Sequence, residues 1–555
     1  MSGAPEGFDA TIVNKEAQEG GLIHVARDAH RLQAMWAALD FFAPELPVFH
    51  FPAWDCLPFD RVSPNADISA QRMSSLASFL AQMPKSYVVL TTLSAASQRV
   101  PARSTVESAV FRASVQSRVD EQALREFLVR MGFAQTPTVM EAGDYSIRGG
   151  IIDIFPPSLS EPIRLDFFGD TLDGIRQFDP ATQRTVKSLE TIELSPVSEV
   201  ILDEASIRRF RQNYRTEFGA AGTDDPLYEA ISAGRKHQGA EHWLPFFHQQ
   251  MDTLFDYLPD ATVILDDQAI PARLARWGTI TDQYDARKTA FTQKGRLDTV
   301  YKPAPPELLY LNDAAWQEAL AGRRQVALSV LPQPTGLNVL DVGARLGRNF
   351  APERQNEALS LFGAVSDHIK NKRAAKPVVI TSFSTGARER LSGLLKDEGH
   401  GELIEISNIK GLRGVGTYLA VSPLEHGFET DDLVVISEQD ILGDRLVRST
   451  KKRKRADNFL TETQSLSPGD LVVHMDHGVG RFKALEIISA AGADHECLLL
   501  EYSENSKLYL PVENIELLSR YGQDEGLLDR LGGGAWQAKK ARLKERIREM
   551  AEKLI

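Results

Sequence analysis

Cysteine is nearly absent: the 555 residues hold only Cys56 and Cys497. The two lie far apart, and neither has a Cys or His at metal-ligand spacing beside it. A disulfide framework and a zinc module are therefore not expected, and a reducing, cytoplasmic compartment is. Long apolar runs are missing as well. No stretch approaches the ~20 residues that cross a bilayer, and the opening MSGAPEGFDATIV lacks the basic and apolar regions of a secretory signal. No membrane partner is expected. The sequence contains no Gly-Lys dipeptide. A phosphate loop needs glycine-rich backbone N–H groups and a lysine to meet phosphate charge, so this chemistry is not encoded. The GxSxG, HExxH and CxxC patterns are absent too. Positive charge is in deficit, with 63 Lys+Arg against 76 Asp+Glu and a net charge of −13. That disfavours nucleic acid as a partner for the whole surface but leaves room for a local basic patch.

What is present is an ordinary globular composition, 43% hydrophobic and 25% charged. The length suggests about three to four domains, and no internal repeat stands out. Residues 22–25, 48–51 and 87–92 read as strands, and 31–42 as a helix with Leu32, Met35, Trp36 and Leu39 on one face. Alternating strand and helix predicts a parallel α/β unit. Residues 120–131 form an amphipathic helix pattern, and 151–155, 163–168 and 172–178 read as strands punctuated by Gly149-Gly150, Pro156-Pro157 and Gly169-Asp170. That is the pattern of an antiparallel meander. A further α/β unit is predicted from strands 378–382, 403–406, 418–421 and 433–436 with a helix over 385–396. Lys451-Lys452-Arg453-Lys454-Arg455 reads as an exposed linker, since a buried run of like charge would be costly. About five short strands within 468–518 suggest a small SH3-type barrel. The helical tail after Trp536 reaches Ile555 with no stop signal, so a continuation is expected.

Single residues offer little catalysis. His474 and His477 are close but lack a third ligand, and a hydrogen-bonded pair is the plainer reading. Asp266 and Asp267 follow a hydrophobic strand, as magnesium-binding acids do in nucleotidases; without a phosphate loop, a capped strand end is the better account.

Taken together, these segments resemble the N-terminal half of the bacterial transcription-repair coupling factors. FPAWDCLPFDRVSPNADISAQRMSSL resembles a stretch that family shares with the excision-repair protein UvrB. DYSIRGGIIDIF with IRLDFFGDTLDGIRQFD resembles the UvrA-binding insertion of both. TLFDYLPDATVILDD is similar to UvrB's acid-bearing strand, with Asp267 where an active ATPase carries Glu. GDLVVHMDHGVGRF with SKLYLPVENIELLSRY resembles the RNA-polymerase-interacting domain, and LGGGAWQAKKARLKERIREMAEKLI the helix leading into the motor.

The resemblance implies a multidomain α/β chain. A degenerate UvrB-like α/β domain would occupy 1–112 and 194–305, split by a UvrA-binding α+β insertion at 113–193. A third α/β domain would occupy 306–445, a basic linker 446–463, a polymerase-interacting β-barrel of the SH3/Tudor-like, CarD type 464–522, and a helix toward absent motor domains 523–555. It implies UvrA contact through Arg148, Arg164 and Phe168. Strand alternation puts Arg164, Asp166 and Phe168 on one face, with Leu165 and Phe167 on the other; a cross-strand salt bridge and an ordinary surface aromatic is the plain alternative. Arg176 is a weaker candidate that could merely pair with Asp173. Contact with the polymerase β subunit would involve Ile487, Ile488 and Lys483, with Arg481 as a further steering charge. Asp266 and Asp267 would mark a degenerate nucleotide site. This chain would carry no cofactor and no catalytic site, ATP and magnesium belonging to the motor, which would also make the main contact with double-stranded DNA. The rivals are a UvrB-like DNA-binding ATPase and a stand-alone CarD-type regulator. The basic tail from Lys539 to Arg548 could meet DNA phosphates, although a solvated face is the plainer account.

Overall fold

The computed structural model describes residues 1–219, 225–292, 301–334, 336–356, 358–443, 471–474, 477–490, 493–503, 506–511, 518–522 and 528–531. The basic linker and most of the terminal helix expected from the sequence lie outside these residues. The fold is mixed α/β with several sheets.

The first sheet is wholly parallel, in the order Gln325–Ala327, Thr262–Leu265, Gly21–Ala26, Tyr87–Thr92, Val48–Phe51. Its central strands are nearly continuous apolar runs because helices cover both faces. Ile23 and Val25 enter one core, and Leu22 and Ala26 the other. Asp28 starts the helix Ala29–Phe42 by accepting a hydrogen bond from the Arg31 N–H at 2.8 Å. Leu32, Met35 and Leu39 are buried on this helix. Trp36 departs from the expected face: it is 39% exposed, its ring set edge-on to His50 at 5.7 Å.

The expected boundary at 306 also moves. Gln325–Ala327 pairs in parallel with Thr262–Leu265, and Trp316 and Leu320 pack into the same core as Phe255. Residues 306–327 therefore complete the first unit. Their apolar side chains are sealed by contacts with residues far away in sequence, which local pattern does not reveal.

The second α/β unit has the order Arg345–Leu346, Phe428–Glu429, Val434–Ser437, Val378–Ser382, Thr417–Val421, Ile404–Glu405. The last four strands are parallel. Both units follow one path. A first strand, Gly21–Ala26 or Val378–Ser382, leads through a helix to an edge strand. The chain then returns between those two strands and finally crosses to the far side of the first. The two units share one core cluster, in which Phe42 meets Phe428 at 5.7 Å and Phe8 meets Phe428 at 5.5 Å.

The insertion is built on a six-stranded sheet ordered Thr185–Leu189, Thr171–Phe178, Ile163–Phe168, Ile151–Ile154, Asp144–Arg148, Ala134–Gln135. Neighbours are antiparallel except the last two. Its inner face buries Ile152, Ile154, Ile163 and Leu165 beneath the helix Glu121–Arg130. The strands Phe111–Ser114 and Thr191–Leu194 pair where the insertion enters and leaves.

The last unit is a five-stranded antiparallel sheet, ordered Lys507–Pro511, Ala493–Glu501, Gly478–Ala490, Leu471–His474, Leu518–Gly522. A Cβ on Gly480 would lie 2.9 Å from the Tyr502 ring, so only glycine fits there. Among the described residues the two edge strands do not pair with each other, so the expected barrel is seen here as a sheet.

Candidate docking surfaces

The outward face of the six-stranded sheet collects charge in a fixed pattern. Register puts Asp153 beside Arg164, and Arg164 beside Arg176. Arg164 grips Asp153 with both arms of its guanidinium, Nε to Oδ1 at 2.7 Å and Nη2 to Oδ2 at 2.9 Å. Arg148 Nη2 reaches the same Oδ2 at 2.8 Å. The Asp153 side chain is 1% exposed, whereas those of Arg164 and Arg148 are 23% and 52% exposed. One buried carboxylate thus orients two cations whose outer edges stay open. Hydrogen bonding to Asp153 raises the Arg164 pKa further. Arg164 also lies over the Phe178 ring at 4.8 Å, which fixes its plane. Arg176 pairs with Asp166 at 3.3 Å, not with the expected Asp173.

Phe168 ends its strand at a two-residue turn whose Gly169 has φ +63°. Its ring is 84% exposed, on the same strand face as Arg164. The nearby Ile151 is 36% exposed. Leu165 is fully buried, as alternation requires, and Phe167 is half-buried. Cations ordered on a carboxylate beside an uncovered aromatic make a surface suited to a partner with acidic and apolar groups. The salt bridge offered as the plain alternative is therefore present, and it coexists with an open face.

At the expected degenerate nucleotide position, Asp266 is buried and Asp267 half-buried. Asp266 accepts from the Arg27 backbone N–H at 3.3 Å and from Arg31 Nη2 at 3.2 Å. Arg31 also pairs with Asp9 at 2.5 Å and with Glu6 at 3.3 Å. Burial, the dominant influence, pushes the Asp9 carboxyl up to about 6 against the pull of Arg31. Open α/β sheets bind ligands outside the carboxyl ends of their strands, where strand order reverses. Here that crevice is filled by the chain's own guanidinium and carboxylates. This is the capped strand end favoured above.

In the five-stranded sheet, Lys483 is exposed and paired with Glu501 at 2.7 Å. Ile488 is half-buried and lies opposite His495. The Ile487 side chain falls outside what is described; its backbone pairs with Glu496. Leu485 and Tyr509, not singled out in the sequence, are 57% and 40% exposed. His474 and His477 stack at 4.6 Å, and no group of three metal-ligating side chains exists among the described residues. No described helix is long and apolar enough to cross a membrane.

The sequence reading missed Asp153 as the organiser, although its place in IIDIF put it on the outer face by parity. It also missed a clamp behind the insertion. Glu199 accepts from Arg72 Nε and Nη2, both at 3.0 Å, and from Trp54 Nε1 at 2.6 Å, with the Arg72 and Glu199 side chains 0% exposed. Arg72 also lies 4.4 Å from the Phe51 ring centroid. The FPAW segment is thus a packing site for the end of the insertion.

Comparison with known proteins adds two domain-level matches. A family model described as the UvrB interaction domain matches residues 111–199, and one described as the CarD-like/TRCF RID domain matches residues 466–522. The chain is similar to the transcription-repair-coupling factor of Haemophilus influenzae, 32% identical over 565 residues, covering 99% of this chain and 48% of the relative. It is 30% identical over 541 residues to that of Rickettsia bellii, covering 98% of this chain and 47% of the relative. To that of Escherichia coli it is 30% identical over 568 residues, covering 98% and 47%. The chain spans about half the length of the curated relatives it matches.

Proposed function

We propose that this chain, a member of the transcription-repair-coupling factor family, is a docking segment that joins stalled transcription to excision repair. The insertion at 113–193 binds UvrA through Arg148, Arg164 and Phe168. The SH3/Tudor-like unit at 464–522 binds the β subunit of RNA polymerase around Ile488, with Ile487 and Lys483 contributing. The whole protein displaces polymerase by ATP-driven translocation on DNA, using a motor outside this chain. The observation that carries the reading is the match of two different interaction-domain families to two separate sheets of one chain.

The physics supports a division of labour. Arg164 and Phe168 offer an oriented fork and a ring that binding can bury, so truncating both removes a hot spot. Ile488 lies on a long hairpin, where a charged residue would obstruct apolar docking. The test is a pull-down of purified UvrA and RNA polymerase. Arg164→Ala with Phe168→Ala weakens UvrA capture at least tenfold and spares polymerase, whereas Ile488→Arg does the reverse. Parallel loss of both partners in either variant would discard the reading.

A further inference from the structure

A third, unassigned surface lies on the helix Glu204–Phe218. Its inner side is set by Phe210 and Tyr214, which are buried in an aromatic cluster with Tyr228, Phe246 and Phe247. At 100° per residue, Arg208, Arg211 and Arg215 fall within about 60° of one another and form a stripe on a side that flanks the buried one. All three are exposed, and with Gln212 and Thr216 they line a groove of about 450 Å³. Among the described residues none of the three forms an ion pair. Arg209, on another side, is spent on the Phe247 carbonyl at 2.8 Å.

The helix Pro226–Ser232 ends at Gly234, φ +72°, where an added Cβ would lie 3.8 Å from Ile207 Cδ1. The next residue, Arg235, is exposed. Glu204, one turn before Arg208, shares this side of the helix, so the stripe carries three arginines to one glutamate and is locally cationic in a chain of net charge −13.

We infer that this stripe is a contact for the phosphate backbone of duplex DNA. The rise per residue places Arg208 and Arg215 about 10.5 Å apart along the helix, with Arg211 between them. That spacing suits consecutive phosphates of one strand. Arginine forks meet phosphate oxygens in pairs. Single-strand binding grooves add exposed aromatic rings on which bases stack. Here the adjoining rings, Tyr214 and Tyr228, are buried, and Arg215 lies 5.5 Å from the Tyr228 ring centroid. A surface of cations without stacking rings reads backbone charge and ignores base sequence. The inference does not depend on the UvrA and polymerase assignments.

The experiment measures binding of the whole chain to a fluorescent duplex of about 30 base pairs by anisotropy, from about 50 to 200 mM salt. Neutralising Arg208, Arg211 and Arg215 together to Ala lowers affinity by on the order of 100-fold at about 0.1 M salt, and flattens the log–log salt slope by about 3. Arg208→Lys, Arg211→Lys and Arg215→Lys combined retains most of the affinity, which separates charge from folding. A matched control, Arg130→Ala, Lys187→Ala and Lys396→Ala, removes three exposed cations elsewhere and leaves binding unchanged. Undiminished duplex binding by the Ala stripe variant overturns the inference. So does equal loss in the control, or a preference of the stripe for polyglutamate over duplex.

Discussion

The two α/β units take the same path through space and each sets a carboxylate at the same crevice, yet only the first fills it. In the first, Asp266 accepts from the backbone N–H of Arg27, the residue after the neighbouring strand, and is locked to the buried Arg31. In the second, Glu438 accepts from the backbone N–H of Phe383 at 3.1 Å, the equivalent place, and pairs with the 62% exposed Arg390 at 3.5 Å. The difference is one of occupancy: in the first unit the crevice where such folds take ligands is filled from within by Arg31, Asp9 and Asp266, whereas in the second a cavity of about 450 Å³ stays open beside Phe383, Arg390 and Glu438. The docking surfaces proposed for UvrA and polymerase lie on the sheets added around these units.

The sharpest way to break the comparison is to neutralise one carboxylate at a time. Asp266→Asn leaves Arg31 with less counter-charge in a buried site and costs about 3–5 kcal/mol of stability by chemical denaturation. A loss below about 1 kcal/mol would deny that the network is tight. Next comes acid. His24 lies in the middle of the same first strand, and burial lowers its pKa to about 4. The unfolded imidazole, titrating near 6.5, binds the proton that the folded one refuses. Its contribution is complete above pH 6.5 and is lost as pH falls toward 4, reaching a cost of about 2 kcal/mol at pH 5. His24→Leu flattens the stability profile between pH 7 and 5, and an unchanged profile would remove His24 as its source. The smaller expected effect is at the second carboxylate. Glu438→Gln keeps an oxygen for the Phe383 N–H and costs about 1 kcal/mol. Equal losses at Asp266 and Glu438 would erase the distinction. Smallest of all, Phe168→Ala changes stability by no more than about 0.5 kcal/mol, because its ring is already in solvent; a larger loss in a thermal melt would show that the ring supports the fold.

What the sequence revealed follows the same physical divide. Runs such as VVITS and YVVLTT were readable as strands because burial on both faces makes them continuously apolar. Alternation in IRLDFF placed Leu165 inward and Phe168 outward without knowledge of the neighbours. Other features depend on pairs far apart in the chain. Asp9, Arg31 and Asp266 meet only because two strands and two helices converge. Asp153 receives two arginines because turn lengths set the register between three strands. Trp36 shares a helical side with Leu32 and Leu39, but it sits at the edge of the layer, where the cover runs out. The common path of the two α/β units left no sequence repeat, since a parallel sheet asks for apolar strands and helix caps rather than particular residues.

In the proposed function, two docking surfaces act independently on one chain. Mass photometry of the chain mixed with UvrA and RNA polymerase measures this directly. The expected result is a ternary complex, with polymerase affinity unchanged by saturating UvrA. Mutual exclusion, in which UvrA displaces polymerase from the wild-type chain, would contradict it.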